Sequence, residues 1–173
     1  MINYKIENLE TNSDNNTLNN EPKIYNNGKY IGKLVNGKME GKGIYYYNSG
    51  DRYEGEYKND KQEGKGIYYW NDGNRYEGDF KNDKFNGKGI LYFNTGSKYE
   101  GYFKNNEREG KGIYYCNNGD RYEGDFKNNK FDGKGIYYYN NGDRRMGDYL
   151  NDKRIGKHVT LEVNGEIKAK IYS

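Results

Sequence analysis

Aromatic and polar residues alternate along most of the chain. In "YEGDF" at 76–80, and again at 122–126, the order is aromatic, acidic, glycine, acidic, aromatic. That period of two puts both rings on one face of a β-strand. A second kind of segment, "GKGIYYY" at 41–47 with near-copies at 64, 87, 110 and 133, joins β-branched and aromatic residues, the types that suit a pleated, half-buried surface. Short polar stretches separate the two kinds: "KNDK" or "KNNK" on one side, "NDGNR", "NTGSK" or "NNGDR" on the other. Asn, Asp and Gly accept the positive φ angles of tight turns, so the pattern predicts strand and turn in strict succession. The expected fold is all-β, an elongated antiparallel meander of stacked hairpins.

The pattern is also periodic. Tyr30, Tyr53, Tyr76, Tyr99 and Tyr122 stand 23 residues apart, and Arg145 falls on the sixth mark. Six 23-residue units therefore start at residue 30. "IYNNGK" at 24–29 and "GKHVTLEVNGEIKAKIYS" at 156–173 read as partial capping units, so the array spans 24–173. Residues 1–23, with "TNSDNNTLNN" among them, read as a disordered Asn-rich tail. A register follows: Tyr53 opposite Tyr68, Gly55 opposite Gly66, Tyr57 opposite Gly64, and Glu56 across from Lys65. In this register the glycines leave room for rings to lie against backbone, and Glu56–Lys65 and Asp79–Lys88 form cross-strand ion pairs. Each unit adds two strands at about 4.8 Å, so six units extend on the order of 60 Å.

Composition narrows the function classes. The 173 residues include 22 Tyr and 25 Gly but one Pro, and the only alanine is Ala169, which argues against a helical bundle. The formal charge of +3 is too small to indicate nucleic-acid binding. No apolar run approaches the ~20 residues needed to span a bilayer. One cysteine and the absence of a secretory signal point to a reducing, cytoplasmic setting, with any contact at membrane or cytoskeleton being peripheral.

The order Y-E-G-x-[YF]-x-N-x-K-x-x-G-K-G, then aromatics and N-x-G, at a spacing of 23, resembles the MORN repeat (membrane occupation and recognition nexus). Gly55, Gly64, Gly66 and Gly73 fall together on the family pattern. The sixth unit departs from it: Arg145 and Met146 replace "YE", and His158 replaces a glycine. The resemblance implies stacked hairpins forming a grooved sheet, and a scaffold that works near membranes, cytoskeleton or ciliary structures, often as a dimer.

Little in the sequence supports catalysis. His158, the only histidine, sits at a glycine position of a degenerate cap, and Cys116 occupies an aromatic position with no histidine near it in sequence. The "GKG" triplets lack a phosphate-loop spacing and a following helix, and the Asx-Gly turns lack calcium-loop spacing. No catalytic residue, metal site or cofactor is expected.

Two rows remain as candidate surfaces. Lys42, Lys65, Lys88, Lys111 and Lys134 recur once per unit and could meet anionic lipid headgroups, although the expected register neutralises most of them. Tyr47, Trp70, Phe93, Cys116 and Tyr139, accompanied by Tyr45, Tyr68, Leu91, Tyr114 and Tyr137, form an aromatic groove for a partner polypeptide. Ile44, Ile67, Ile90, Ile113 and Ile136 never vary, as packing demands, whereas the first of these aromatic rows does vary. The expectation is a non-catalytic protein-interaction scaffold; peripheral binding of anionic phospholipid and a carbohydrate-binding hairpin array are the alternatives. A homodimer through the terminal strands is a further expected contact.

Overall fold

The computed structural model describes residues 18–173. The elements follow one another as β1 (Leu18–Tyr25), β2 (Gly28–Val35), β3 (Lys38–Tyr47), β4 (Arg52–Lys58), β5 (Lys61–Tyr69), β6 (Arg75–Lys81), β7 (Lys84–Tyr92), β8 (Lys98–Lys104), β9 (Glu107–Tyr115), β10 (Arg121–Lys127), β11 (Lys130–Tyr138), β12 (Arg144–Leu150), β13 (Lys153–Leu161) and β14 (Ile167–Tyr172). All fourteen strands form one antiparallel sheet in simple chain order, the meander expected from the alternation. β1 starts at Leu18, so the array begins before residue 24; the expected tail loses residues 18–23 to a strand that pairs with β2, and its remainder, residues 1–17, lies outside the described residues.

One face of the sheet holds the core. Tyr30, Tyr53, Tyr76, Tyr99 and Tyr122 are at most 1% exposed. Each ring lies flat over a pair of glycines on neighbouring strands: a Cβ at Gly55 or Gly66 would overlap the Tyr53 ring. Its hydroxyl donates to the Glu56 carbonyl at 3.0 Å, and Tyr76, Tyr99 and Tyr122 repeat that bond to the carbonyls of Asp79, Tyr102 and Asp125. Between successive tyrosines stand Tyr57, Phe80, Phe103, Phe126 and Tyr149, also buried. Their rings meet the tyrosines edge to face, as with Tyr53 and Phe80 at 4.8 Å and Tyr76 and Phe103 at 5.0 Å. A chain of ring contacts thus passes from unit to unit, and no hairpin buries its rings alone.

The expected register holds for half of each hairpin. Tyr53 faces Tyr68 and Gly55 faces Gly66, but Glu56 then faces Glu63 and Tyr57 faces Gln62. The turn explains the shift. Asn59 and Asp60 both have positive φ (49° and 67°), which makes a two-residue type I′ turn and pins Lys58 opposite Lys61. Two residues of β5, Gly64 and Lys65, are then left over and bulge out, with Gly64 in the left-handed region at φ 65°.

The bulge moves Lys65 from Glu56 to the next strand, where it pairs with Asp79 at 2.5 Å; Lys111–Asp125 at 2.6 Å and Lys134–Asp148 at 3.1 Å repeat the arrangement. The expected Asp79–Lys88 ion pair is replaced by a bond from the Lys88 backbone N–H to the Asp79 carboxylate at 2.9 Å, while the Lys88 ammonium lies over Tyr102.

The isoleucine row lies on the face opposite the rings. Ile67 points away from the rings and stands in register with Glu54 and Glu77 on the opposite face, half-buried. That face is charged, with Arg52, Arg75, Lys98 and Arg121 lying over Tyr69, Tyr92, Tyr115 and Tyr138 at 4.2–4.3 Å.

Polar ladders stitch the units along both edges. On one edge, Asp83 in the β6–β7 turn donates its N–H to the Gln62 carbonyl, and its carboxylate accepts the Gln62 N–H at 2.8 Å. Asp60, Asn106, Asn129 and Asp152 do the same one unit apart. On the other edge, the Asn71, Asn94, Asn117 and Asn140 side chains each donate to a loop carbonyl of the preceding unit.

Candidate functional site

The ten expected groove residues all fall on the ring face, in two adjacent rows beside the asparagine edge. They are not equally available. Tyr45 is 5% exposed and belongs to the core; the other nine are half-buried. Tilted ring contacts link Tyr45 to Tyr47 at 4.6 Å, Tyr47 to Tyr68 at 5.8 Å and Tyr68 to Trp70 at 4.9 Å. Phe93 then meets Tyr114 at 5.9 Å, and Tyr137 meets Tyr139 at 4.8 Å. The lane has non-aromatic steps at Leu91 and Cys116.

Hydrogen bonds fix the orientation of these rings. Gln62 Nε2 donates to the Tyr47 hydroxyl at 3.0 Å. The hydroxyls of Tyr68 and Tyr137 donate to the carboxylates of Asp51 and Asp120, both at 3.0 Å. Burial pushes the Tyr47 hydroxyl up to about 12 and raises those of Tyr68 and Tyr137 as well, where the adjacent carboxylates add to the shift. Asp120 is held below the usual carboxylate range, chiefly by the Asn140 N–H it accepts. The lane is therefore an apolar strip in which Tyr47, Tyr68 and Tyr137 are held as neutral phenols, with the carboxylates of Asp51 and Asp120 at its border.

Two stretches of the lane are covered by the chain's own cations. The Arg108 guanidinium sits 5.5 Å from the Tyr114 ring and Arg145 sits 5.3 Å from Tyr139. Among the described residues, no cation lies over Tyr47, Tyr68, Trp70 or Phe93. Cys116 Sγ stands 4.0 Å from the Tyr137 hydroxyl, and burial raises its thiol.

The lysine row falls on the charged face. Lys65, Lys111 and Lys134 are ion-paired as described; Lys42 stands opposite Glu56, and Lys88 opposite Tyr102. A different set of lysines was not singled out from sequence. Lys58 and Lys61, Lys81 and Lys84, and Lys127 and Lys130 face one another across the tight turns, all exposed and none in an ion pair among the described residues. Like charges directly opposite destabilise a hairpin, so these lysine pairs are held by the turn and not by each other, on an edge they share with the carboxylates of Asp60, Glu63 and Asp83. The signal lay in "KNDK" and "KNNK", which keep Lys at both ends although only the central Asx residues are needed for the turn.

His158 has an unexpected position. It is 2% exposed and its ring covers Gly147, where the array would otherwise place the flat tyrosine that Arg145 replaces. Its Nε2 lies 2.8 Å from the Asp148 carbonyl, the equivalent of the carbonyl bound by Tyr122 one unit earlier, and its ring stands between Tyr149 and Tyr172. The two departures in the sixth unit are thus one exchange: a ring contributed from one strand is supplied instead by its neighbour.

Among the described residues, no group of three or more His, Cys, Asp or Glu is placed to hold a metal ion. No helix of the described residues is long and apolar enough to cross a membrane.

Among solved structures, the chain is similar to the TCP domain of SAS-4 (dCPAP) from Drosophila melanogaster, solved in complex with a proline-rich motif of Ana2 (dSTIL), with 15% identity, a TM-score of 0.52, and 84% of each chain covered. It is also similar to the G-box domain of the microcephaly protein CPAP, with 13% identity, a TM-score of 0.37, and 88% of this chain and 99% of that one covered. The TCP10 domain of Danio rerio CPAP, solved with a peptide of Danio rerio STIL, matches at 13% identity and a TM-score of 0.31, over 86% and 82% of the two chains. At 15% identity the likeness to the Drosophila TCP domain is one of fold. No curated protein matches the chain. The MORN repeat, in contrast, matches residues 30–52, 53–75, 76–98, 99–121 and 122–144 without a gap, and the chain belongs to the MORN-repeat family.

Proposed function

We propose that the protein is a non-catalytic scaffold that holds an extended segment of a partner polypeptide along the aromatic lane, tethering that partner at a membrane or the cytoskeleton from the cytoplasmic side. The observation that carries this reading is the lane itself: half-buried rings of Tyr47, Tyr68, Trp70 and Phe93, fixed by hydrogen bonds and packing on a rigid sheet, free of any covering cation. Rings held in this way lose little entropy on binding and offer large contacts, the properties of interface hot spots. The fold gives support of a general kind, since the Drosophila TCP domain that resembles it was solved with a proline-rich motif of another protein.

Selection from a displayed library of random peptides, with the whole chain as bait, tests the reading. Peptides so selected should bind the Trp70→Ala/Phe93→Ala variant more weakly by at least ~2 kcal/mol, about thirtyfold, with the β-sheet circular dichroism retained. Undiminished binding to a folded variant would overturn the reading.

The exposed turn lysines favour a second reading, peripheral contact with anionic headgroups, through Lys58, Lys61, Lys81 and Lys84 in place of the ion-paired Lys65 and Lys111. Each free lysine near an acidic surface contributes about 1 kcal/mol. Changing those four to Gln should abolish salt-sensitive sedimentation with phosphatidylserine vesicles; unaltered sedimentation would dismiss this reading.

A further inference from the structure

Met146 is a departure of the sixth unit that the exchange of rings leaves unexplained, and it is not alone. On the face opposite the rings, Met146 stands where the four preceding units carry Glu, Leu150 where they carry Lys, and Ile155 where they carry Glu, Asp or Asn. Strand pairing sets Met146 beside Val159, Leu161 beside Ile167, and Lys157 beside Ile171. The result is an apolar patch over β12–β14 in which Met146 is 38%, Leu150 50%, Ile167 69% and Ile171 80% exposed. Ile31 and Val35, which fill the positions of Met146 and Leu150 in the first unit, are half-buried, so the open patch lies at one end of the sheet. A contiguous exposed patch of this kind marks a docking surface.

The charge of the patch narrows its occupant. Arg52, Arg75, Lys98 and Arg121 each pair with the Glu two residues on, at 3.0–3.8 Å, whereas Arg144 meets Met146 in that place. Lys157 faces Ile171, where Lys65, Lys111 and Lys134 face carboxylates. Among the described residues, neither Arg144 nor Lys157 is in an ion pair. Residues 144–173 hold seven Lys and Arg against four Asp and Glu, which is the whole of the chain's net charge of +3. Two such patches would repel each other, so the occupant is acidic as well as apolar. It is also a chain segment and not a flat surface, because the face beside Met146 is hollowed into a trough lined by Ile113, Ile136 and Lys157.

The sequence contains a segment of that make-up. Residues 1–10, "MINYKIENLE", include Met1, Ile2, Tyr4, Ile6 and Leu9, and residues 1–17 hold Glu7, Glu10 and Asp14 against Lys5 alone. They are joined to β1, thirteen strand steps or ~60 Å along the sheet from β14. Residues 10–17 span at most ~28 Å, so the segment cannot reach the patch of its own chain.

We propose that the patch on β12–β14 binds residues 1–10 of a second copy of the chain, with their apolar side chains on Met146, Leu150 and Ile167 and with Glu7 and Glu10 toward Arg144 and Lys157. The contact joins unlike ends of two chains and is independent of the aromatic lane, which lies on the other face.

Sedimentation velocity of the whole chain tests this with two variants. Ile6→Asp/Leu9→Asp alters the tail and no residue of β1–β14. Met146→Glu/Leu150→Lys/Ile155→Glu returns to the patch the residue types of the earlier units, which the sheet accommodates. The unaltered protein should associate as its concentration rises, and each variant alone should need at least tenfold more protein to do so. An equimolar mixture of the two should recover a one-to-one complex, since one supplies the patch and the other the tail. Association of either variant at the unaltered protein's concentration, or a mixture no more associated than its components, would overturn the proposal. An unaltered protein that stays monomeric would overturn it too; loss of sedimentation with phosphatidylserine vesicles in the patch variant would then assign the patch to a membrane.

Discussion

At the scale of single residues, the array depends on exchanging ring for space. Tyr53 is buried only because Gly55 and Gly66 have no side chains beneath it, and the sixth unit shows that the exchange can be inverted, with Arg145 and His158 standing for tyrosine and glycine. Arg145→Tyr alone should destabilise the protein, because two rings would compete for the space over Gly147. His158→Gly alone should cost about 2–4 kcal/mol by leaving that space empty under Tyr149 and Tyr172. Together the two changes restore the arrangement of the earlier units. The double variant should therefore be more stable than the sum of the single effects, with a coupling of at least ~1 kcal/mol in denaturant unfolding. Additive losses would show that His158 does not fill the tyrosine's place. From sequence His158 was legible as a departure from glycine; its pairing with the departure at Arg145 was not, because the two lie 13 residues apart and only the strand pairing brings them together.

At the scale of the element, each hairpin is defined more by its turns than by its strands. The alternation of "YEGDF" and "GKGIYYY" made the strands and their faces legible, and the aligned glycines fixed the upper half of the register. The lower half was not legible because it depends on how tightly "KNDK" closes: a type I′ turn consumes two residues and forces two others, Gly64 and Lys65, into a bulge. The same turn carries the ladder between units, in which the second turn residue must accept both a left-handed φ and a bond from its neighbour. Asp83→Ala should cost about 1–2 kcal/mol, losing the bond to the Gln62 N–H and straining the backbone at φ 64°. Asp83→Asn should cost much less, since Asn106 and Asn129 fill the equivalent positions. Equal losses in thermal unfolding for the two variants would argue against the ladder.

At the scale of the molecule, the fold is a one-dimensional stack whose units lean on their neighbours. Deleting residues 76–98 should shorten the particle by ~10 Å in small-angle scattering and leave it folded, whereas deleting half a unit should place rings over side chains and unfold it. A compact globule, or a folded half-unit deletion, would contradict the stack. The shared core also couples the array to alkaline pH. Burial raises Tyr30 and Tyr99 to about 12 and raises Tyr53, Tyr76 and Tyr122 as well. The neutral phenol is the form the fold favours, so this contribution is complete below the ordinary tyrosine value of ~10 and is lost as pH climbs through the folded values. An ultraviolet titration should accordingly show these buried tyrosines ionising only together with loss of the β-sheet signal. A single transition near ~10 with the sheet intact would mean that the rings are open to solvent.

The most direct test of the account concerns which surface binds. Backbone amide shifts of the whole protein, recorded on adding the best library-selected peptide, should change along Tyr47, Trp70 and Phe93 and at the bordering Asp51, while Ile67 and Ile90 on the charged face and Lys58 and Lys81 on the turn edge stay still. Shifts concentrated on the charged face or the turn edge, with the aromatic lane unaffected, would contradict it.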